Sequence, residues 1–283
     1  KMQRRMGQLT GTCFQRCAGL DTLSVLFSIT FDIDKKHGTA YHERYLAFLK
    51  KAQARNLIVG AGMTDPKGDR SKRPSDQADP DLFMHVTRRT DKGLYVKGAK
   101  AHMTGGLNSH WICVMPTMNM LESDKDYAVI GMIPATAPGL TYIYGRQSCD
   151  TRALEVGDID KGNAQYGGQE TLVIFDDVFI PWAHVLMDGE YEFAQELVSR
   201  FTAYHRASYV CKTGLGDVMI GAASSVAEMN GAETASHVRD KLVEMTHLNE
   251  TIYSSGIASS YEAKQHESGE YISPEFVLKF QED

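Results

Sequence analysis

The chain has 283 residues, of which 42% are hydrophobic and 23% are charged, and its formal net charge is −6. This composition is ordinary for a globular protein and long enough for two or three domains. Because acidic and basic residues are mixed along the chain, we expect neither a nucleic-acid-binding stripe nor a polybasic membrane patch. No apolar run approaches the roughly 20 residues that span a bilayer, and no signal peptide is visible, so the sequence favours a cytoplasmic protein.

The first half of the chain changes from helical to β-rich periodicity. Apolar residues form one continuous stripe over residues 2–34, and a second helix is predicted over residues 41–57. Residues 62–81 are rich in proline, glycine and charge, which predicts a long loop. Short β-rich runs separated by turn residues then fill residues 82–181, which predicts an antiparallel β-domain.

Helical periodicity returns in the second half. It covers residues 190–229, with an interruption expected around Gly214 and Gly216, and then residues 234–260. The chain lacks an initiator methionine and ends where a new amphipathic segment starts, so we expect a fragment. The predicted fold is α+β. Its domains are an N-terminal helical domain with the loop (1–80), a central antiparallel β-domain (81–188) and a truncated C-terminal helical bundle (189–283).

Two of the five cysteines lie four residues apart. An odd number of widely spaced cysteines argues against a disulfide framework. In a helix, Cys13 and Cys17 would lie one above the other on the same face, where two thiolates can hold two corners of a metal centre. Cysteine is also among the most buried residue types, and both residues fall on the apolar stripe. Taken by itself, the pair therefore favours core packing.

A histidine and a further cysteine follow in the segment YHRASYVCK. These are His205 and Cys211, on a helix of the last predicted domain. With Cys13 and Cys17 they supply three thiolates and one imidazole, a set that suits tetrahedral zinc or an iron–sulfur cluster. The spacing of the first two cysteines matches neither a zinc ribbon nor a ferredoxin, so both metals remain open.

Four motifs together resemble the 4-hydroxybutyryl-CoA dehydratase family. They are KMQRRMGQLTGTCFQRCAGLD, TDPKGDRS, HMTGGLNSHW and YHRASYVCK, and the resemblance runs in order over essentially the whole chain. The wider superfamily includes flavin-dependent 4-hydroxyphenylacetate hydroxylases and the acyl-CoA dehydrogenase fold. The resemblance therefore implies an acyl-CoA dehydrogenase-like fold, FAD, a [4Fe–4S] cluster, an acyl-CoA substrate and a homotetramer.

The activity that the resemblance implies is radical dehydration of 4-hydroxybutyryl-CoA to crotonyl-CoA, with vinylacetyl-CoA Δ-isomerase activity. The β-hydrogen of this substrate is not acidic enough for a simple base. In the family, oxidised flavin is thought to take one electron from the enolate, which makes that hydrogen acidic, and the electron later returns. Alternatives are an aromatic monooxygenase of the 4-hydroxyphenylacetate type, a relative that only isomerises, and a zinc-stapled helical scaffold without activity.

The resemblance also assigns roles to particular residues. As cluster ligands it implies Cys13, Cys17, His205 and Cys211. As catalytic residues it implies His205, Tyr209, Glu170, Lys212 and Thr104. As residues at the flavin or lining the active site it implies Gln15, Met63, Thr64, Asp65, Lys67, Gly68, Asp69, Arg70, Thr104 and Lys212.

Two of the four motifs also have a basis in physical chemistry. The polar turn of residues 65–70 offers amides and cations to a pyrophosphate or a flavin edge, although a solvated interdomain linker would look similar. Gly105 and Gly106 would let a flat ring approach the backbone closely, but they also suit an ordinary β-turn.

The chain departs from the family pattern at two points. His205 and Cys211 are six residues apart instead of seven, which on one helix rotates the cysteine by roughly 100°. We therefore expect either a broken helix or a different reach for Cys211. From the resemblance we also expect the chain to end before a second catalytic glutamate of the family.

Overall fold

The computed structural model describes residues 1–11, 13, 16–147, 149–152, 160–207 and 210–274. Its helices are α1 Met2–Thr10, α2 Cys17–His37, α3 Tyr41–Ala54, α4 Lys161–Tyr166, α5 Ala194–Ala207, α6 Val210–Met229 and α7 Ser236–Tyr261. Its strands are β1 Val59–Gly62, β2 His85–Arg89, β3 Gly93–Thr104, β4 Trp111–Val114, β5 Val129–Pro134, β6 Leu140–Ile143, β7 Glu170–Pro181, β8 Val185–Asp188, β9 Lys264–Gln265 and β10 Tyr271–Ile272. Within these ranges, no helix combines the length and the apolar character that a membrane crossing requires.

The N-terminal apolar stripe is divided between two helices. Helix α1 ends at Thr10 because Gly11 adopts a left-handed conformation with φ of 61°, and its N–H donates to the carbonyl of Gly7. Helix α2 begins only at Cys17. Cys13 therefore lies between the helices, and the expectation that both cysteines share one helical face is wrong.

Helix α2 is the central helix of the N-terminal part. Its residues Val25, Leu26, Ile29 and Ile33 are fully buried and recur at steps of one, three and four, as expected for a helix whose face packs into a core. The helix contacts α3, α5 and β1. At Gly19 a side chain would overlap the carbonyl of Val59, so the absence of a Cβ lets α2 lie directly on the strand that leads into the β-region.

Two four-stranded sheets follow the first helices. One has the strand order β1-β4-β5-β8, in which β1 runs parallel to β4 and the other neighbours are antiparallel. The second has the order β2-β3-β7-β6 and is antiparallel throughout. The predicted order of helices, β-strands and helices is confirmed, with the parallel β1–β4 pair as an addition. The domain boundaries at residues 80 and 188 stay predictions.

Helix α6 crosses α1 at unusually short range. A Cβ on Gly214 would overlap the carbonyl oxygen of Arg4, and one on Gly7 would overlap the carbonyl oxygen of Cys211. The sequence suggested that Gly214 and Gly216 interrupt this helix, but α6 continues through both residues. Gly214 permits this helix contact, and Gly216 admits the side chain of Asn249 from α7.

A shared carboxylate fixes the same three helices. Asp217 on α6 accepts two hydrogen bonds of 2.7 Å from the guanidinium of Arg4, one of 2.6 Å from Gln8 and one of 2.9 Å from Asn249. The bidentate pair holds the pKa of Asp217 below its usual value. Charge and close packing thus act together to hold α1 against α6 and α7.

The glycine contact can be tested with a matched pair in α6. Gly214→Ala should lower the free energy of unfolding by about 1–3 kcal/mol, because the new methyl group forces α1 away. Gly221→Ala, where a Cβ meets nothing within 4 Å, should instead raise it by up to about 1 kcal/mol through helix propensity. Urea denaturation followed by circular dichroism measures both. Equal effects of the two variants would contradict the proposed packing role of Gly214.

Candidate metal centre and cofactor cavity

Three thiols and one imidazole, which we call the thiol–imidazole cluster, converge from separate segments. Cys13 precedes α2, Cys17 is its first residue, His205 lies in the last turn of α5 and Cys211 near the start of α6. The side chains of Cys13 and Cys17 are hydrogen-bonded, and this contact, followed by burial and by the nearby charges of Asp21, Cys13 and Cys211, raises the pKa of Cys17. These thiols repel each other once ionised, so a bound cation is what would let them ionise together.

His205 is held by a carboxylate that the sequence reasoning missed. Its Nδ1 atom lies 2.8 Å from Oδ2 of Asp21, and its ring stacks on Phe201 with centroids 5.5 Å apart. One oxygen of Asp21, a ring nitrogen of His205 and the sulfur of Cys17 all lie within 4.8 Å of one another. The available signal was the position of Asp21, four residues after Cys17 on the same helix.

The position of Cys211 bears on the shortened spacing. Helix α5 is described as far as Ala207 and helix α6 from Val210 onward, so the effect of the shortened spacing on Cys211 stays a prediction. Residues 208 and 209 lie outside the described part of the chain. Burial, and then the charge of Cys13, raise the pKa of Cys211, which lies within electrostatic range of the other thiols. Three sulfur donors and one nitrogen donor fit an iron–sulfur cluster that has one imidazole ligand.

Two further predicted residues meet across the second sheet. Thr104 ends β3 and Glu170 begins β7, and the two are register partners. The hydroxyl of Thr104 donates to Oε1 of Glu170 over 2.7 Å. Gln147 exchanges hydrogen bonds of 2.9 and 3.2 Å with the backbone of Glu170 and so holds this strand end. The sheet therefore presents a carboxyl group that is oriented by a hydroxyl group.

A cavity of about 270 Å³ is lined by residues that neighbour both groups in sequence. Arg16, which directly precedes Cys17, lines it, as does Gly105, which directly follows Thr104. Gly168, two residues before Glu170, forms a third part of the wall. Gly105 has φ of 68°, a conformation that glycine adopts without strain and that brings backbone to the cavity. Residues that line this cavity are thus sequence neighbours of both the thiol–imidazole cluster and the Thr104–Glu170 pair.

The predicted flavin loop borders a second cavity, of about 450 Å³. Within this loop Asp65 is buried and bonded to Nζ of Lys100 at 2.6 Å and to Oγ1 of Thr117 at 2.8 Å. Lys100 also donates to the carbonyls of Met63 and Met115, each over 2.9 Å. Asp65 therefore attaches the loop to the sheet. Thr64, Lys67, Asp69 and Arg70 also line this cavity.

The other predicted site residues are distributed as follows. Gly68 has φ of 48° in the same loop, and the pKa of the exposed Asp69 is lowered by its hydrogen bonds from Ser71. Lys212 is exposed, and its charge opposes the rise in the pKa of Cys211. Gln15 and Tyr209 lie outside the described residues.

A second ionisable residue absent from the prediction is Glu270, which precedes β10. It lines an apolar cavity of about 390 Å³ between α2 and α3. Burial raises its pKa to about 7, although hydrogen bonds from Ser28 and Tyr204 and the charge of Arg200 oppose the rise. Its buried Oε2 atom has no hydrogen-bond partner within the described structure. The apolar surroundings thus favour a protonated carboxyl group.

The chain belongs to the 4-hydroxyphenylacetate 3-hydroxylase family, whose N-terminal model matches residues 1–187 and whose C-terminal model matches residues 194–278. Within this class it is 56% identical, over 96% of its length, to the 4-hydroxybutyryl-CoA dehydratase/vinylacetyl-CoA-Δ-isomerase of Clostridium aminobutyricum. A structure of an archaeal 4-hydroxybutyryl-CoA dehydratase from N. maritimus matches 99% of the chain with a TM-score of 0.92 and 61% identity. The resemblance seen in the four motifs is confirmed. The chain spans 56% of the length of each of these two proteins.

Two more distant structures show the fold alone. One is the oxygenase component of 4-hydroxyphenylacetate 3-monooxygenase, solved with FAD. The match includes 98% of the present chain and 58% of the oxygenase chain, with a TM-score of 0.82 and 22% identity. The other is an acyl-CoA dehydrogenase from Slackia heliotrinireducens, whose match includes 92% of the present chain and 60% of the dehydrogenase chain, with a TM-score of 0.58 and 16% identity. The predicted α+β, acyl-CoA dehydrogenase-like fold is therefore confirmed.

The raised pKa of Glu270 predicts a pH-dependent effect on stability. The unfolded carboxyl group titrates near 4.5 and the folded one near 7, so the folded state binds more protons in this window and loses stability as pH rises through it. Glu270→Gln stays neutral throughout. It should therefore be more stable than the unsubstituted protein above pH 7, and this advantage should vanish as pH falls to 4.5.

The matched control for this experiment is Glu267→Gln in the same hairpin, where the exposed carboxylate pairs with Lys35 at 2.5 Å. This variant should show no gain above pH 7. Urea denaturation across the pH range measures both variants. An advantage of Glu270→Gln that does not depend on pH would refute the assignment.

Proposed function

We propose that the chain forms part of an FAD- and [4Fe–4S]-dependent enzyme. The enzyme dehydrates 4-hydroxybutyryl-CoA to crotonyl-CoA and isomerises vinylacetyl-CoA. The observation that carries this proposal is the convergence of three thiols and one imidazole, in a chain 56% identical to a relative named for these activities. The same resemblance leads us to propose a cytoplasmic homotetramer.

The proposed cluster ligands are Cys13, Cys17, His205 and Cys211. Their support is chemical, since three thiols and one imidazole that are distant in sequence lie near one another: Cys17 is hydrogen-bonded to Cys13, lies near His205, and is within electrostatic range of Cys211. When bound, FAD supplies one-electron chemistry and the cluster supplies a Lewis acid for the departing hydroxyl group. The protein's part is to place the substrate between them and to move protons.

Glu170 is the proposed acid–base residue. Its carboxyl group accepts a hydrogen bond from Thr104 and its backbone is held by Gln147, so both its side chain and its backbone are oriented at the start of β7. A base in this position would remove the acidic α-proton of the thioester and return a proton later in the reaction. Tyr209 remains the predicted proton donor toward the leaving hydroxyl group, and Lys212 the predicted contact to the flavin or the enolate.

The proposal of FAD has two supports. A structural neighbour that shares the fold was solved with FAD. In this chain, Lys67 and Arg70 line the cavity beside the loop of residues 63–70, where two cations and turn amides suit an anionic pyrophosphate. Because Asp65 is bonded to Lys100, its proposed role is to hold this loop in place for the flavin.

Aromatic hydroxylation is the competing function, because the family model carries that description. A flavin-dependent monooxygenase needs no thiol–imidazole cluster. Reduced flavin, oxygen and 4-hydroxyphenylacetate should therefore give no hydroxylated product, while 4-hydroxybutyryl-CoA should give crotonyl-CoA under anaerobic conditions. The opposite pattern would replace the proposed function with the monooxygenase.

Metal analysis tests the proposed cluster. The protein purified without oxygen should contain about four iron and four sulfide per chain and absorb as a brown flavoprotein. Cys17→Ala should lose most of this iron while retaining FAD. Cys113→Ala, which removes a fully buried cysteine of β4, should keep both. Protein that contains FAD and no iron, or one zinc per chain, would exclude the cluster.

Kinetics tests the role of Glu170. Glu170→Gln preserves size and hydrogen bonding but cannot take up a proton, so kcat should fall by about 10²–10⁴-fold while FAD and iron content stay unchanged. The control is Asp176→Asn, which alters an exposed carboxylate on the same strand and should leave kcat unchanged. An unchanged kcat for Glu170→Gln would remove Glu170 from the mechanism.

A further inference from the structure

We propose that Asp21 is a positioning residue for the metal centre. It orients the imidazole of His205 so that Nε2 faces an iron atom. This inference rests on the proposed cluster and adds a residue that the family resemblance did not assign. Its basis is the contact of 2.8 Å between Nδ1 of His205 and Oδ2 of Asp21.

The contact selects a tautomer of the imidazole. A neutral histidine has one protonated ring nitrogen and one with a free electron pair, and a carboxylate can only accept a hydrogen bond. Because Nδ1 faces Asp21, the proton belongs on Nδ1 and the electron pair on Nε2. Metal-binding histidines are commonly fixed in this way by a carboxylate on the opposite nitrogen, which also makes the imidazole a stronger donor.

The placement of Asp21 links two ligands that belong to different helices. Asp21 follows Cys17 by four residues on α2, so the two side chains lie on one helical face. His205 lies on α5, and its ring is also held by stacking on Phe201 at an interplanar angle of 20°. Asp21 therefore fixes the imidazole relative to the sulfur of Cys17, which lies in the same group of atoms within 4.8 Å.

The low exposure of Asp21 strengthens this interpretation. Only 7% of the surface of Asp21 is exposed, so its carboxylate is largely removed from water. A buried carboxylate is costly unless it is hydrogen-bonded or paired, and the imidazole N–H is one such partner. The same geometry would also allow Asp21 to bind a metal directly, which is a distinct outcome of the experiment.

The experiment compares Asp21→Ala and Asp21→Asn with the unsubstituted protein, all reconstituted with iron without oxygen. Two readouts are used, the rate of iron loss to a chelator and the Mössbauer spectrum, in which an iron bound by nitrogen differs from irons bound by thiolates. Asp21→Ala should lose iron about 10- to 100-fold faster and show a broadened or missing nitrogen-bound signal. The amide oxygen of Asp21→Asn can still accept a hydrogen bond from Nδ1. Its rate of iron loss should therefore fall between those of Asp21→Ala and the unsubstituted protein.

The matched control is Asp32→Asn on the same helix. Asp32 pairs with Arg200 at 2.6 Å and lies 3.3 Å from Nε2 of His266, so its loss also disturbs an α2–α5 contact and a histidine contact. This variant should keep the iron-loss rate and the spectrum of the unsubstituted protein, which separates positioning from general loosening of the helices.

Three outcomes overturn the inference. Asp21→Ala could match the unsubstituted protein in both readouts. Asp32→Asn could change them as much as Asp21→Ala does. His205→Ala could leave the Mössbauer spectrum intact while Asp21→Ala changes it, which would make Asp21 the ligand. If the unsubstituted protein itself takes up no iron, the proposed cluster fails instead, so the two failures are distinguishable.

Discussion

The backbone contact between α1 and α6 is the constraint on which the thiol–imidazole cluster depends. Gly7 lies against the carbonyl of Cys211, and Gly214 lies against the carbonyl of Arg4. With no Cβ at either position, the start of α6 comes within reach of the segment that carries Cys13. Any larger residue would separate the helices and move a sulfur away from the other donors. The bidentate bond between Arg4 and Asp217 then holds the two helices in this position.

The sheets perform a similar task for the candidate acid–base residue. Thr104 and Glu170 are 66 residues apart in sequence, but the pairing of β3 with β7 makes them direct neighbours. The register shifts between Lys100 and Met103, so an irregularity in β3 helps decide which residue of the strand faces Glu170. These candidate site residues are therefore positioned by strands that are stabilised by buried side chains such as Val173 and Met103.

Periodicity predicted the helix–sheet–helix order because it depends on burial, which shapes local sequence directly. Residue chemistry indicated the four members of the thiol–imidazole cluster, and the motif resemblance assigned them to an iron–sulfur centre and supplied Thr104 and Glu170. Local breaks were predicted less well. The apolar stripe continues past Gly11, although its left-handed conformation ends α1 there, and Gly214 was interpreted as a helix breaker when it serves packing.

The partners of the site residues could not be found from sequence. Asp21 acts through a contact with His205, which is 184 positions away, and Lys100 through a contact with Asp65, which is 35 positions away. The spacing of Asp21 from Cys17 indicated a place near the cluster but not the contact with His205. Glu270 looks like an ordinary hairpin carboxylate, and its raised pKa depends on an apolar cavity formed by two other helices. Such properties arise only from tertiary structure.

The environment of Lys100 also determines which substitutions that site tolerates. An ammonium group has three hydrogens in a tetrahedral arrangement, and here three acceptors, from Met63, Asp65 and Met115, receive them. Arginine would keep the charge, but its planar group carries five hydrogens, and the surplus would be buried without acceptors. A lysine-to-arginine exchange is harmless on most surfaces. At this position it would detach the loop of residues 63–70, which borders the cavity of about 450 Å³, from the sheet.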